Sequence, residues 1–197
     1  MGEIVAMILA GGESRRMNSP KMLLPFDGKT IIEKVIEKVT ASKVNRTIVV
    51  LGGFKDNIIE VIVKYPVTFC YNENYKQGML SSVKCGFGAL PAGYEAAMLF
   101  LGDQPMIPPE VTNNIIAAYK KTGKGIVMPV CNNKRGHTIL ISSRYKDEIE
   151  KLDTKEGLRI LAYKFPEDVL EVETNFTSIF RDIDTPEDYA NEINQIH

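Results

Sequence analysis

The strongest constraint on the fold lies at the start of the chain. An unbroken apolar run, Ile4-Val5-Ala6-Met7-Ile8-Leu9, opens into Ala10-Gly11-Gly12-Glu13-Ser14-Arg15-Arg16-Met17-Asn18-Ser19-Pro20-Lys21. A strand that is apolar at every position has no face to offer water, so it belongs inside a parallel sheet covered on both sides. Such sheets bind ligands beyond the carboxyl ends of their strands. Gly11 and Gly12 allow backbone N–H groups close to phosphate oxygens, and Arg15, Arg16 and Lys21 add positive charge within the same short loop. The predicted ligand is therefore a polyphosphate. A P-loop would close on Gly-Lys-Ser/Thr and a dinucleotide fingerprint would read Gly-x-Gly-x-x-Gly; neither stands here. The competing reading is a surface turn with incidental basic residues.

Beyond the loop, Asp27-Gly28 marks a turn and Thr30-Ile31-Ile32-Glu33 is a capping box. The helix it opens should bury Ile31, Ile32, Val35, Ile36 and Val39 and turn Glu33, Lys34, Glu37 and Lys38 to water. Residues 46–51 read as a second strand ending at Gly52-Gly53, residues 56–63 as a helix and residues 66–71 as a third strand. This β-α-β-α-β order implies parallel strands with right-handed crossovers. Gly78 and the pair Ser81-Ser82 introduce a helix through Phe87, with Ser81 as its expected N-cap. Gly86-Phe87-Gly88 has no ligand role in this reading.

The most apolar strand, residues 96–101, terminates in Gly102-Asp103-Gln104-Pro105. Asp103 is thus released at a strand end beside the expected phosphates, a position suited to Mg²⁺, which favours one or two carboxylates with phosphate oxygens and water. A helix starts at Pro108-Pro109-Glu110; the Thr122-Gly123-Lys124-Gly125 that follows it lacks the Ser/Thr a P-loop needs. Strands over 126–130 and 138–142 flank a polar loop in which Arg135 and His137 suit a polar or anionic acceptor. His197, the other histidine, is terminal. Helices are expected over 144–151 and 155–163, and short strands over 168–172 and 178–183. Thr185-Pro186-Glu187-Asp188 is a helix start in its own right, leaving Asp182 and Asp184 outside the cap.

Composition narrows the function class. The 197 residues suit one α/β domain covering 1–197, and 24 Lys+Arg against 25 Asp+Glu give no basic footprint for nucleic acid or an anionic membrane. Cys70, Cys85 and Cys131 have no zinc spacing and read as buried thiols of a cytoplasmic protein. Neither a signal-peptide pattern nor an apolar run of spanning length is expected to send the chain elsewhere.

The motifs also carry a family resemblance. Leu9-Ala10-Gly11-Gly12-x-Ser14-x-Arg16-Met17 with Pro20-Lys21 resembles the signature loop of the MobA-like NTP transferases, nucleotidyltransferases that attach a nucleoside monophosphate to molybdopterin. Gly78-Met79-x-Ser81-Ser82 resembles their base-pocket segment, and Leu101-Gly102-Asp103-Gln104-Pro105 is similar to the metal-binding segment of the cytidylyl branch. Arg135-Gly136-His137 resembles the acceptor-side motif, with Thr138 where proline commonly follows. Gly157-Leu158-Arg159 matches a segment rich in Gly, Ala and Arg, and Asp182-Ile183-Asp184-Thr185-Pro186-Glu187-Asp188 resembles the C-terminal motif.

The resemblance implies a three-layer, Rossmann-like α/β fold of the nucleotide-diphospho-sugar transferase type with a mostly parallel central sheet. It implies Arg16, Lys21 and Asp103 as catalytic residues and Leu9, Ala10, Gly11, Gly12, Arg16, Lys21, Gly78, Ser81 and Ser82 around the nucleotide. It further implies Mg²⁺ on Asp103 with Asp182 or Asp184, and molybdopterin or its molybdenum-loaded form on Arg135, Gly136 and His137. Ala10-Gly11-Gly12 is the guanylyl form of the loop, whereas Pro20-Lys21, the Asp103 segment and Arg135-Gly136-His137 look cytidylyl. CTP is the favoured nucleotide and GTP the alternative. A sugar-phosphate nucleotidyltransferase is a third reading. A non-catalytic carrier delivering the cofactor to a molybdoenzyme is a fourth, which the retained Lys21 and Asp103 oppose.

Overall fold

The computed structural model describes residues 2–14, 16–17, 19–153 and 157–195. In chain order the strands and helices are β1 (Ile4–Ala10), β2 (Pro25–Phe26), β3 (Lys29–Thr30), α1 (Ile31–Thr40), β4 (Arg46–Leu51), α2 (Lys55–Ile62), β5 (Thr68–Tyr71), α3 (Met79–Gly88), β6 (Ala96–Leu101), α4 (Pro109–Thr122), β7 (Ile126–Cys131), β8 (Lys134–Arg135), β9 (Ile139–Ser142), α5 (Lys146–Lys151), α6 (Ile160–Lys164), β10 (Val169–Glu173) and α7 (Pro186–Asn194). The main sheet runs β10-β7-β9-β6-β1-β4-β5, with β8 hanging on β7. Only β9 and β8 run against the rest, so the sheet is mostly parallel, as expected.

Every residue of β1 is buried, because its two faces feed two separate cores. Ile4, Ala6 and Ile8 pack with α1, α2 and α4, whereas Val5, Met7 and Leu9 pack with α3, α5 and α6. The result is three layers. β1 sits between β4 and β6, paired in parallel with both, so its carboxyl end opens at the point where the strand order reverses. A third cluster, Met17, Phe26, Ile31 and Ile183, joins the loop after β1 and the β2–β3 hairpin to the segment before α7.

The Thr30–Glu33 capping box forms, and the apolar stripe of α1 is buried. Glu33 does not face water, however: it is 5 % exposed, with Lys64 Nζ at 2.7 Å and the Tyr65 hydroxyl at 3.2 Å from Oε1. Those partners lie one helix further along the chain, outside any helical-face argument. Residues 177–180 form a 3-10 turn rather than part of a strand. The expected helix over 155–163 is observed as α6 from Ile160, and residues 154–156 lie outside the described residues. Cys131 is buried, but Cys70 and Cys85 are only half-buried, their Sγ atoms 3.8 Å apart between β5 and α3. No helix among the described residues is long and apolar enough to cross a membrane.

Candidate active site

The loop after β1 is held from within and from behind. Ser14 adopts φ 51°, and its hydroxyl accepts a hydrogen bond from the Lys21 backbone N–H at 3.0 Å. Gly53 N–H donates to Gly11 O at 3.2 Å, so the β4–α2 junction backs the loop. Gly11 has a steric reason: a Cβ there would lie 3.0 Å from Ser82 Oγ. At Gly12 a Cβ would meet nothing within 4 Å, leaving this stretch of backbone open to a ligand. Arg15 and Asn18 lie outside the described residues.

Lys21 projects from this loop into a nest of carboxylates. Its Nζ lies 2.6 Å from Asp103 Oδ2 and 2.6 Å from Asp184 Oδ1, while Arg16 Nη1 lies 3.2 Å from Asp184 Oδ2. Asp103 reaches the nest because β6 ends beside β1. Asp184 reaches it because Ile183 N–H donates to Asp103 O at 3.0 Å and the Asp188 carboxylate accepts from Asp184 N–H at 3.2 Å. The capping box of α7, in which Thr185 and Asp188 bond reciprocally, therefore also fixes Asp184. Among the described residues Asp182 makes no such bond, and it acts on Asp103 through its charge.

Burial alone would lower the Lys21 ammonium pKa, but Asp103 and Asp184 outweigh it and hold it above its ordinary value. Burial pushes the Asp103 carboxyl up, against Lys21, with Asp184 and Asp182 adding to the rise. Among the described residues, Asp103 Oδ1 is buried without a hydrogen-bond partner. A buried ion pair contributes little net stability, so this cluster is not explained by folding. Two convergent carboxylates and one unpaired carboxylate oxygen are the donor set a hard divalent cation takes, completed by phosphate oxygens and water. The described residues contain no group of three His, Cys, Asp or Glu able to hold a metal alone.

The base-side segment is built differently from expectation. Gly78, at φ 100°, is the N-cap of α3, a conformation that favours glycine, and Ser81 lies in the first turn. The Ser81 hydroxyl donates to Asn74 O and Gly78 O at 2.9 and 2.7 Å. It also accepts from Asn72 Nδ2 at 2.8 Å, and the same amide reaches Ser82 Oγ at 3.0 Å. Ser14, Asn72 and Gly53 stand outside the candidate residues read from the sequence: Ser14 closes its own loop on Lys21, Asn72 reaches the serines of the next helix, and Gly53 bonds Gly11 from the end of another strand. On the acceptor side, Arg135 bonds Glu171 on the outer strand at 2.6 Å rather than joining the carboxylate nest. His137 meets Gln104 at 3.0 Å, and Gly136 packs tightly, since a Cβ there would lie 2.9 Å from Ile179.

Residues 6–169 match the family model described as MobA-like NTP transferase domain. The chain belongs to this family. A relative of this transferase, the molybdenum cofactor cytidylyltransferase of Escherichia coli K12, is 29 % identical over 96 % of this chain and 95 % of its own. Among solved structures, Rv0371c of Mycobacterium tuberculosis superposes with a TM-score of 0.88 at 22 % identity, covering 98 % of both chains. Its complex with manganese gives 0.83 at 21 % over the same shares. Molybdopterin-guanine dinucleotide biosynthesis protein A of Archaeoglobus fulgidus gives 0.74 at 18 %, again over 98 % of both chains. These structural likenesses establish the Rossmann-like fold of the transferase.

Proposed function

We propose that this transferase moves CMP from CTP to the phosphate of molybdopterin or its molybdenum-loaded form and releases pyrophosphate, in the cytoplasm. The observation that carries the reading is Lys21, presented by the glycine-rich loop and held between Asp103 and Asp184 at the sheet's switch point. The likeness to the cytidylyltransferase over nearly the whole chain supports CTP. Ala10-Gly11-Gly12 favours GTP as the second reading.

In the proposed reaction an acceptor phosphate oxygen attacks the α-phosphorus, the new P–O bond forms in line with the bond to the bridging oxygen that breaks, and pyrophosphate leaves. No covalent intermediate on the protein is needed. The rate depends on positioning and charge neutralisation. The open backbone at Gly12, with Arg16 and Lys21, binds and orients the phosphates; Lys21 offsets charge on them as the transition state develops. Asp103 and Asp184 are the residues that would hold a divalent ion such as Mg²⁺, which supplies further charge neutralisation when bound.

The test is pyrophosphate release over many turnovers with CTP and with GTP in the presence of acceptor. Turnover with CTP supports the cytidylyl reading, turnover with GTP moves the assignment to guanylyl transfer, and stoichiometric binding without release favours a carrier. Lys21→Ala should raise the barrier by about 1.5–3 kcal/mol, the scale of a hydrogen bond to a charged group. Unchanged turnover in that variant would remove Lys21 from the chemistry.

A further inference from the structure

The turn at the end of β6 presents two adjacent side chains for different tasks. Asp103 enters the carboxylate nest, and Gln104, only 3 % exposed, goes to His137. Among the described residues the Gln104 amide has one polar neighbour in hydrogen-bond reach, His137 Nδ1 at 3.0 Å from its Nε2, while its Oε1 is buried without a partner. Leaving a buried oxygen unpaired is unfavourable, and an aliphatic side chain would fill the same space without that cost. Packing therefore does not account for an amide here.

The chemistry of the pair fixes its polarity. An amide NH₂ group donates and cannot accept, so the ring nitrogen facing it must carry a lone pair, and the single proton of a neutral imidazole then resides on Nε2. The opposite amide orientation would leave both amide N–H groups without partners, where the observed one leaves a single N–H and the carbonyl oxygen; a buried donor without a partner is the rarer and less favourable arrangement in proteins. The rest of His137 is also constrained: its backbone N–H donates to Ile179 O at 3.4 Å, and Gly136 N–H donates to Pro129 O at 2.8 Å. The ring's Nε2 has no hydrogen-bond partner among the described residues.

We propose that Gln104 is a positioning residue: it holds His137 in one tautomer, Nδ1 unprotonated and Nε2–H free, as a hydrogen-bond donor for an anionic oxygen of the acceptor. The acceptor role rests on the transfer reaction proposed above; the tautomer does not. Because Gln104 follows Asp103 directly, one turn then sets both the carboxylate beside the nucleotide phosphates and the donor on the acceptor side.

The ring protonation of His137 is read by long-range ¹H–¹⁵N correlation on the full chain at about pH 8, where ordinary imidazoles are neutral. With two histidines in the sequence, His137→Asn assigns the signals. The wild type should show Nε2–H as the dominant form. Gln104→Leu should give a mixture, and Gln104→Glu, which offers Nδ1 an acceptor, should move the proton to Nδ1. A wild-type ring protonated on Nδ1, or a tautomer ratio indifferent to Gln104→Leu in a variant with unchanged circular dichroism, overturns the proposal. In steady-state assays Gln104→Leu should raise the acceptor KM about tenfold, one hydrogen bond's worth, with the nucleotide KM unchanged. A shifted tautomer with an unchanged acceptor KM overturns the acceptor-side role alone. If the wild type turns over no nucleotide, the transfer reaction falls while the spectra still decide the tautomer.

Discussion

Lys21 lies between Asp103 and Asp184, the position that the proposed metal ion would share with it. In the free protein its ammonium is thus the counter-charge for both carboxylates, and it competes with any cation that approaches without phosphates of its own. Unit charges about 4 Å apart interact with about 4 kcal/mol at an effective dielectric of ~20, so the competition is large. Lys21→Met should accordingly bind Mn²⁺ alone about tenfold more tightly than the wild type at about pH 8, measured by calorimetry without nucleotide. Asp103→Asn should abolish that binding in either background. Equal affinity of wild type and Lys21→Met would mean that the ammonium and the metal use different positions. Arg16 contributes less to this balance, since its side chain is 72 % exposed and solvent screens its contact with Asp184.

At the scale of elements, the site depends on one junction packed against another. A Cβ at Gly52 would stand 2.4 Å from Gly11 O and 2.7 Å from Tyr75 Cβ, so the end of β4 meets the glycine-rich loop backbone to backbone. Neither neighbour is the far end of a flexible side chain. Gly52→Ala should therefore displace the loop and raise the nucleotide KM at least about tenfold, with a stability loss of about 1–3 kcal/mol of the overpacking kind, measured by urea unfolding. A KM equal to wild type would show that the loop does not rely on this contact. The same scale separates what was legible in the sequence from what was not. The runs at 4–9, 46–51 and 96–101 declared themselves as buried parallel strands, and the glycines, Lys21 and Asp103 followed as residues at strand ends. Thr185 and Asp188 declared the start of α7, since a cap is a local pattern. Ser81 looked like a cap for the same local reason, yet Gly78 takes that position because its backbone conformation is one that favours glycine. Within the stretch expected as a polar loop, Asn132-Asn133, both at positive φ, turn the chain from β7 into the short strand β8. Asn72 with Ser81, nine residues apart, and Gln104 with His137, 33 apart, pair through side chains across element boundaries, and no periodicity encodes such pairs.

For the whole molecule, burial of charge sets the response to acid, and its carboxylates pull in opposite directions. Asp103, raised by burial, weakens the fold while ionised. Glu33 does the reverse. Burial would raise it, but the Lys64 ammonium and the Thr30 hydroxyl and N–H overcome that and hold it at about 2 against an ordinary 4.5. A carboxylate depressed in the folded state binds fewer protons there than in the unfolded chain, so its contribution is fully present above pH 4.5 and is lost as pH falls through about 2. Asp188, held down by Thr185, and Asp168, held down against burial by Tyr145 and Arg144, add limbs of the same sign. Glu33→Gln should remove one of these limbs: unfolding free energy should fall by about 1 kcal/mol at neutral pH through the weakened cap, and the gap to wild type should close as pH drops from 4.5 toward 2. Urea titrations across that range check it. Curves that stay parallel would place the buried link between α1 and Lys64 outside the molecule's acid response, leaving Asp168 and Asp188 to account for it.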